Sequence, residues 1–169
     1  MRISWPTCTL LFALSLAGST SWHLAVPSKA VVHSASPPPA ESAKVCVVRT
    51  SVLAQAVTFP THDNGVLVGA TRGPTHFCYL AAPGHHNLSI EADEIEHASF
   101  EAEAGKSYFL HQEVDNIFGY VKCRAVWVDE ATAKDLFPQS TFEVLTGVPG
   151  NEKLPPDPPF APASAPPPR

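Results

Sequence analysis

Between residue 44 and about residue 145 the apolar runs are short and the turn-formers frequent. Stretches such as "KVCVVRTS", "VLVGATR" and "KSYFLHQEV" are set apart by Gly, Pro, Asn and Asp at close intervals. This is the pattern of antiparallel strands joined by tight turns. The expected fold is all-β: a small antiparallel β-sandwich of about seven strands with one short C-terminal helix.

The strands follow from local chemistry. "KVCVVRTS" opens the fold, then "AVTFPTH" runs into Asp63-Asn64-Gly65 and "VLVGATR" returns. Asn and Gly tolerate the positive φ of a tight turn, so a hairpin is predicted there. "THFCYLAA" then leads to Pro83-Gly84 and "HHNLSIEA". Pro followed by Gly suits a type II turn and predicts a second hairpin. A third pair, "EHASFEAEA" with "KSYFLHQEV", is expected around Ala104-Gly105, and "GYVKCRAVWV" is the last long strand. The helix is expected over "DEATAKDLF", with Asp129 as N-cap and Pro138 as stop, and "TFEVL" is a candidate edge strand.

Composition divides the rest of the chain. Of 169 residues 18 are proline and 44% are apolar, enough for one domain with a core but not for a chain folded throughout. Residues 22–43 read as a Pro/Ser/Ala-rich linker, 44–147 as the sandwich domain and 148–169 as a disordered tail with extended polyproline II character. Residues 1–21 read as an export signal, with Arg2, the apolar "LLFALSLAG" and small residues after it. Cleavage fits after Ser19 or Ser21, and also after Ala30. The apolar run is shorter than the roughly 20 residues of a spanning helix, so no transmembrane segment is expected once the signal is removed. A lipoprotein signal needs a cysteine where this chain has Ser19, and Cys8 lies too early. A net charge of −5 with scattered lysines and arginines argues against nucleic acid as a partner.

Loss of the signal leaves Cys46, Cys78 and Cys123 in an oxidising compartment. Alternation places Cys123 with Val121, Ala125 and Trp127 on one strand face, which suits a buried thiol, so Cys46 and Cys78 are the leading disulfide pair. His86 aligns with Leu88 and Ile90 toward the core, while His85 points outward. A ring-nitrogen bond from His86 to the turn backbone is the expected role. An alternative reading gives Zn or Cu the ligands His76, Cys78 and His111.

Other candidate chemistry is weak. The acidic run "EADEIEHASFEAE" lacks a calcium-loop spacing and places Glu101 and Glu103 on a solvated face. "GKS" at Gly105–Ser107 has Phe100 where a phosphate-binding loop needs glycine. No G-x-S-x-G elbow is present. Neither a catalytic centre nor a cofactor is expected. The aromatic set Phe77, Tyr79, Tyr108, Phe109, Tyr120 and Trp127 reads mainly as core, with a ligand-binding face as the other option.

The order of "VCVVRT", "DNGVLVG", "FCYLAAPGHHNL", "EAGKSYFL" and "WVDEATAKDLF" resembles the bacterial family catalogued as domain of unknown function 2846, over residues 44–145. The resemblance implies a small β-sandwich exported to, or lipid-anchored in, the cell envelope, and no reaction. Together these readings predict a periplasmic or extracellular, non-enzymatic binding or scaffolding module with a protein or glycan partner. The rival is an exported metal-binding protein.

Overall fold

A computed structural model describes residues 21–29 and 32–164. Residues 1–21, read above as an export signal, lie outside the described residues except for Ser21, as do the alternative cleavage position at Ala30 and the last five residues of the span read as a tail.

The chain is an all-β sandwich with one short helix. Its elements are β1 (His23–Ala25), β2 (Ala43–Val48), β3 (Thr58–Asp63), β4 (Val66–Arg72), β5 (Thr75–Ala81), β6 (Gly84–Glu91), β7 (Ile95–Ala102), β8 (Ser107–Ile117), β9 (Tyr120–Val128), α1 (Glu130–Leu136), β10 (Thr141–Phe142), β11 (Val144–Gly147) and β12 (Phe160–Ala161). One sheet runs β10-β5-β2-β8-β9, with β12 also on β5, and the other runs β4-β3-β6-β7. Strands β1 and β11 form a separate pair.

The sheets face each other across the main core. Val45, Val47, Tyr79 and Leu110 of the first pack with Phe59, Val68, Leu88 and Ile90 of the second, all fully buried. The central strand β2 is buried along its whole length. Its other face meets a second cluster, in which Cys46, Cys78 and Phe109 pack under Ala133 of α1, Phe142 and Val32. Asp129 caps α1 by accepting from the Thr132 amide at 2.8 Å, and Pro138 falls in the 3-10 turn that ends it.

Arg49, just after β2, is fully buried. Its guanidinium donates to the carbonyls of Leu53, Ala54 and Val57 at 2.6–3.0 Å and stacks 4.2 Å from the Phe59 ring centroid. One side chain thus closes the loop between β2 and β3, where the backbone lacks ladder partners. Burial lowers its pKa to about 10, so it is charged at neutral pH.

Four expectations need correction. The Asp63-Asn64-Gly65 hairpin is present, with φ of 48° and 79° at Asn64 and Gly65, but Pro83-Gly84 does not join a hairpin. Strand β5 pairs β2 in one sheet and β6 pairs β3 and β7 in the other, so the chain changes sheets at Ala82-Pro83. The same holds for β7 and β8 around Ala104-Gly105. Turn chemistry bends the chain in both places without choosing the strand it pairs with. The sheet is also not wholly antiparallel, because β2 runs parallel to β8, and β10 and β12 run parallel to β5.

The fourth correction concerns the ends. The span read as a linker contributes β1 and the buried Val32, and the tail is docked as far as Ser164. Leu80 and Ala82 donate backbone bonds to Pro159 and Ala161 at 2.9 and 3.0 Å, and Ala161 is fully buried. Proline composition predicted disorder, but an extended segment with a small residue between prolines suits the exposed edge of β5.

Candidate functional site

At the crossover between the sheets lies a buried polar network. Asp63 ends β3, His86 is the third residue of β6, and Tyr79 reaches in from β5. His86 Nδ1 stands 2.8 Å from Asp63 Oδ2, its Nε2 stands 2.8 Å from the Ala82 carbonyl, and the Tyr79 hydroxyl donates to Asp63 Oδ2 at 2.8 Å. All three residues are fully buried. An acceptor on each ring nitrogen favours the protonated imidazole. Burial opposes that charge, but the carboxylate and the carbonyl outweigh it and raise the pKa of His86. Burial beside Asp63 likewise pushes the Tyr79 hydroxyl well above its ordinary value.

The network is saturated and has no open position for a reactant. It pins the Ala82-Pro83 crossover to the end of β3, and Asn64 adds a bond from its side chain to the His85 carbonyl at 3.2 Å. His85 faces outward and pairs with Glu101 at 2.8 Å.

Cys46 and Cys78, register partners on β2 and β5, form a disulfide. That bond takes the thiolate from the alternative ligand set His76, Cys78 and His111. The two histidines flank Val48 from opposite sides, two strand spacings or about 10 Å apart. His76 is buried, with Nδ1 2.9 Å from Ser140 Oγ. Burial and the neighbouring His33 lower its pKa to about 4. His111 contacts Thr50 Oγ1 through Nε2 at 3.4 Å, and burial lowers its pKa against the pull of Glu113. Cys123 is a free, buried thiol whose pKa burial raises to about 12, which makes it a poor nucleophile.

The aromatic residues divide. Phe77, Tyr79 and Phe109 are core, Tyr120 is exposed, and Tyr108 and Trp127 are half-buried. These last two meet Phe100 where the sandwich opens between the edge strands β7 and β9. Ring centroids are 4.8 Å apart for Phe100 with each of the others, and 6.5 Å apart for Tyr108 with Trp127. The trio lines a groove of about 1060 Å³ that continues past Lys106, Asp129 and Pro138. The Trp127 indole donates to the Ser99 carbonyl at 3.1 Å, and the Tyr108 hydroxyl accepts from the Glu103 amide at 3.0 Å, so both rings are held in place.

One wall of the groove is the segment Ser34–Pro38, and Lys44 holds it there. The Lys44 ammonium donates to the carbonyls of Ser34, at 2.9 Å, and Ser36. Burial lowers its pKa, partly offset by Glu130. The network and the groove also meet, because the His86 ring lies 5.2 Å from Phe100.

The sequence singles out Tyr108 and Trp127, mainly as core with a ligand face as the other option, and does not single out Phe100 or Lys44 for this site. Phe100 is met in the sequence only in the acidic run, in a strand and as the residue that breaks a phosphate-loop pattern, although alternation with Ala98 and Ala102 gives its inward direction. Nothing local marks Lys44 as a clamp, since its partners lie eight and ten residues away.

Compared with known proteins, the chain matches no family model, no curated protein and no solved structure.

Proposed function

We propose that this chain is an exported, non-enzymatic binding module of the bacterial cell envelope, and that its ligand surface is the groove lined by Phe100, Tyr108 and Trp127. The observation that carries this reading is the half-exposed aromatic trio, two of whose rings, Tyr108 and Trp127, are held by backbone hydrogen bonds, opening onto a space of about 1060 Å³. Fixed aromatic faces supply contact area at little entropic cost. A glycan strand, whose sugar rings carry apolar C–H faces, fits such a surface, and a protein segment laid along it is the other partner of this shape.

The disulfide supports the address, because such bonds persist in oxidising compartments. Among the described residues no helix is long and apolar enough to cross a membrane. The sequence likeness to domain of unknown function 2846 supports the same envelope setting. Loss of the Cys78 thiolate weighs against the metal-binding rival built on His76 and His111.

Co-sedimentation with purified cell-wall glycan tests the reading. The wild-type chain is expected in the pellet, and Trp127→Ala with Tyr108→Ala is expected to weaken binding at least tenfold. If the double variant pellets like the wild type, the groove is not the ligand surface.

A further inference from the structure

The two proline-rich ends enclose a second cavity, away from the aromatic groove. It holds about 250 Å³ and is lined by Pro27, Lys29 and Val32 before β2, by residues 155–157 and 159 before β12, and by residues of β4 and β5. Its apolar lining includes Val68, Phe77, Val144 and Leu145, and two opposite charges, Lys29 and Asp157, stand on the same lining. Among the described residues no ion pair joins those two charges.

Both covering ends are anchored. Val32 is buried in the cluster beneath the helix, and the tail is tied down by the bonds from Leu80 and Ala82. Farther along, Asn64 Nδ2 donates to the Pro162 carbonyl at 2.9 Å, and the Ser164 amide donates to the His85 carbonyl at 3.0 Å. On β4, Gly69 lets the Phe77 ring of the lining pack directly against the strand, since an added Cβ would stand 2.3 Å from that ring. An apolar cavity of about 150 Å³ already holds a benzene ring. This one therefore has room for a branched aliphatic or aromatic side chain.

We propose that this cavity binds a small zwitterion with an apolar body, namely an apolar α-amino acid. Its side chain lies among Val68, Phe77, Val144 and Leu145, its carboxylate meets Lys29 and its ammonium meets Asp157. The apolar walls select for size, and the separated charges select for a ligand that carries both signs. This site is independent of the aromatic groove.

Calorimetric titration of the full chain with L-leucine, glycine, 4-methylpentanoate and 3-methylbutylamine tests the proposal. The last two keep the leucine side chain and one charge each. Leucine is expected to bind about a hundredfold more tightly than glycine, from the apolar contacts. Each singly charged analogue is expected to bind about two- to fivefold more weakly than leucine, since both protein charges are at the surface. Lys29→Met should make leucine no better than the amine, and Asp157→Asn should make it no better than the carboxylate. Val144→Trp fills the space while keeping both charges, and should abolish binding. No leucine binding, binding equal for all three leucine-shaped ligands, or binding unchanged in Val144→Trp would overturn the proposal.

Discussion

Asp63 and His86, twenty-three positions apart in sequence, form an ion pair of 2.8 Å in which neither side chain reaches solvent. The pair joins the end of one strand to the point where the chain crosses between sheets, and its imidazole backs Phe100 of the groove. A fully buried pair stabilises little relative to apolar residues, but losing one partner strands the other charge. Asp63→Asn is expected to cost about 3–5 kcal/mol in urea unfolding. A cost below about 1 kcal/mol would mean that His86 is neutral in the fold.

The same pair sets a pH dependence. The pKa of His86 is raised in the fold, so its contribution is complete below the ordinary histidine value of 6.5 and is lost as pH rises through the raised value. His86→Gln should flatten stability across that upper window. An unchanged slope would show that another group titrates there.

His76 acts in the opposite sense. Its folded pKa of about 4 lies below the ordinary 6.5, so the unfolded chain binds the extra proton first. Stability is expected to be complete above pH 6.5 and to fall as pH drops toward 4, by about 2–3 kcal/mol. His76→Phe should remove most of this acid loss, as read by thermal unfolding at pH 4.5 and 7.

Across the Cys46–Cys78 bond the chain closes a loop with a sequence separation of 32. Chain entropy gives such a link about 3–4 kcal/mol. The Cys46→Ala, Cys78→Ala variant should lose that amount, less any relaxation of the unfolded chain. Cys123 should resist thiol reagents in the native state and react once the protein is unfolded, since burial holds its pKa near 12.

The docked tail makes its own prediction. Ala161→Asp places a charge where no solvent reaches, and should release the tail from β5. The Leu80 and Ala82 amides, which donate to tail carbonyls, should then exchange hydrogen at least tenfold faster. Unchanged protection at both amides would mean that the tail does not hold the edge.

Sequence reached the parts of this fold that depend on neighbours in the chain. The left-handed pair Asn64-Gly65, the inward face of His86 and the Asp129 cap are set by residues within four positions of one another. Pro83-Gly84 shows the limit. The local signal for a bend is real, and Gly84 has a φ of 128° that favours glycine, yet the partner strand is chosen by packing of the two sheets. The Asp63 partner of His86 and the Lys44 clamp were unreadable for the same reason. The tail was misread because composition reports what a segment rarely does alone, whereas β5 offered an edge to cover it.

The groove can be tested most directly through the Trp127 indole N–H, which donates to the Ser99 carbonyl beside the aromatic trio. Nuclear magnetic resonance during titration with cell-wall glycan fragments should shift this resonance and those of Phe100 and Tyr108 in a saturable manner. If these resonances stay fixed while others move, or if none moves with either glycan fragments or a peptide library, the groove is not a binding surface.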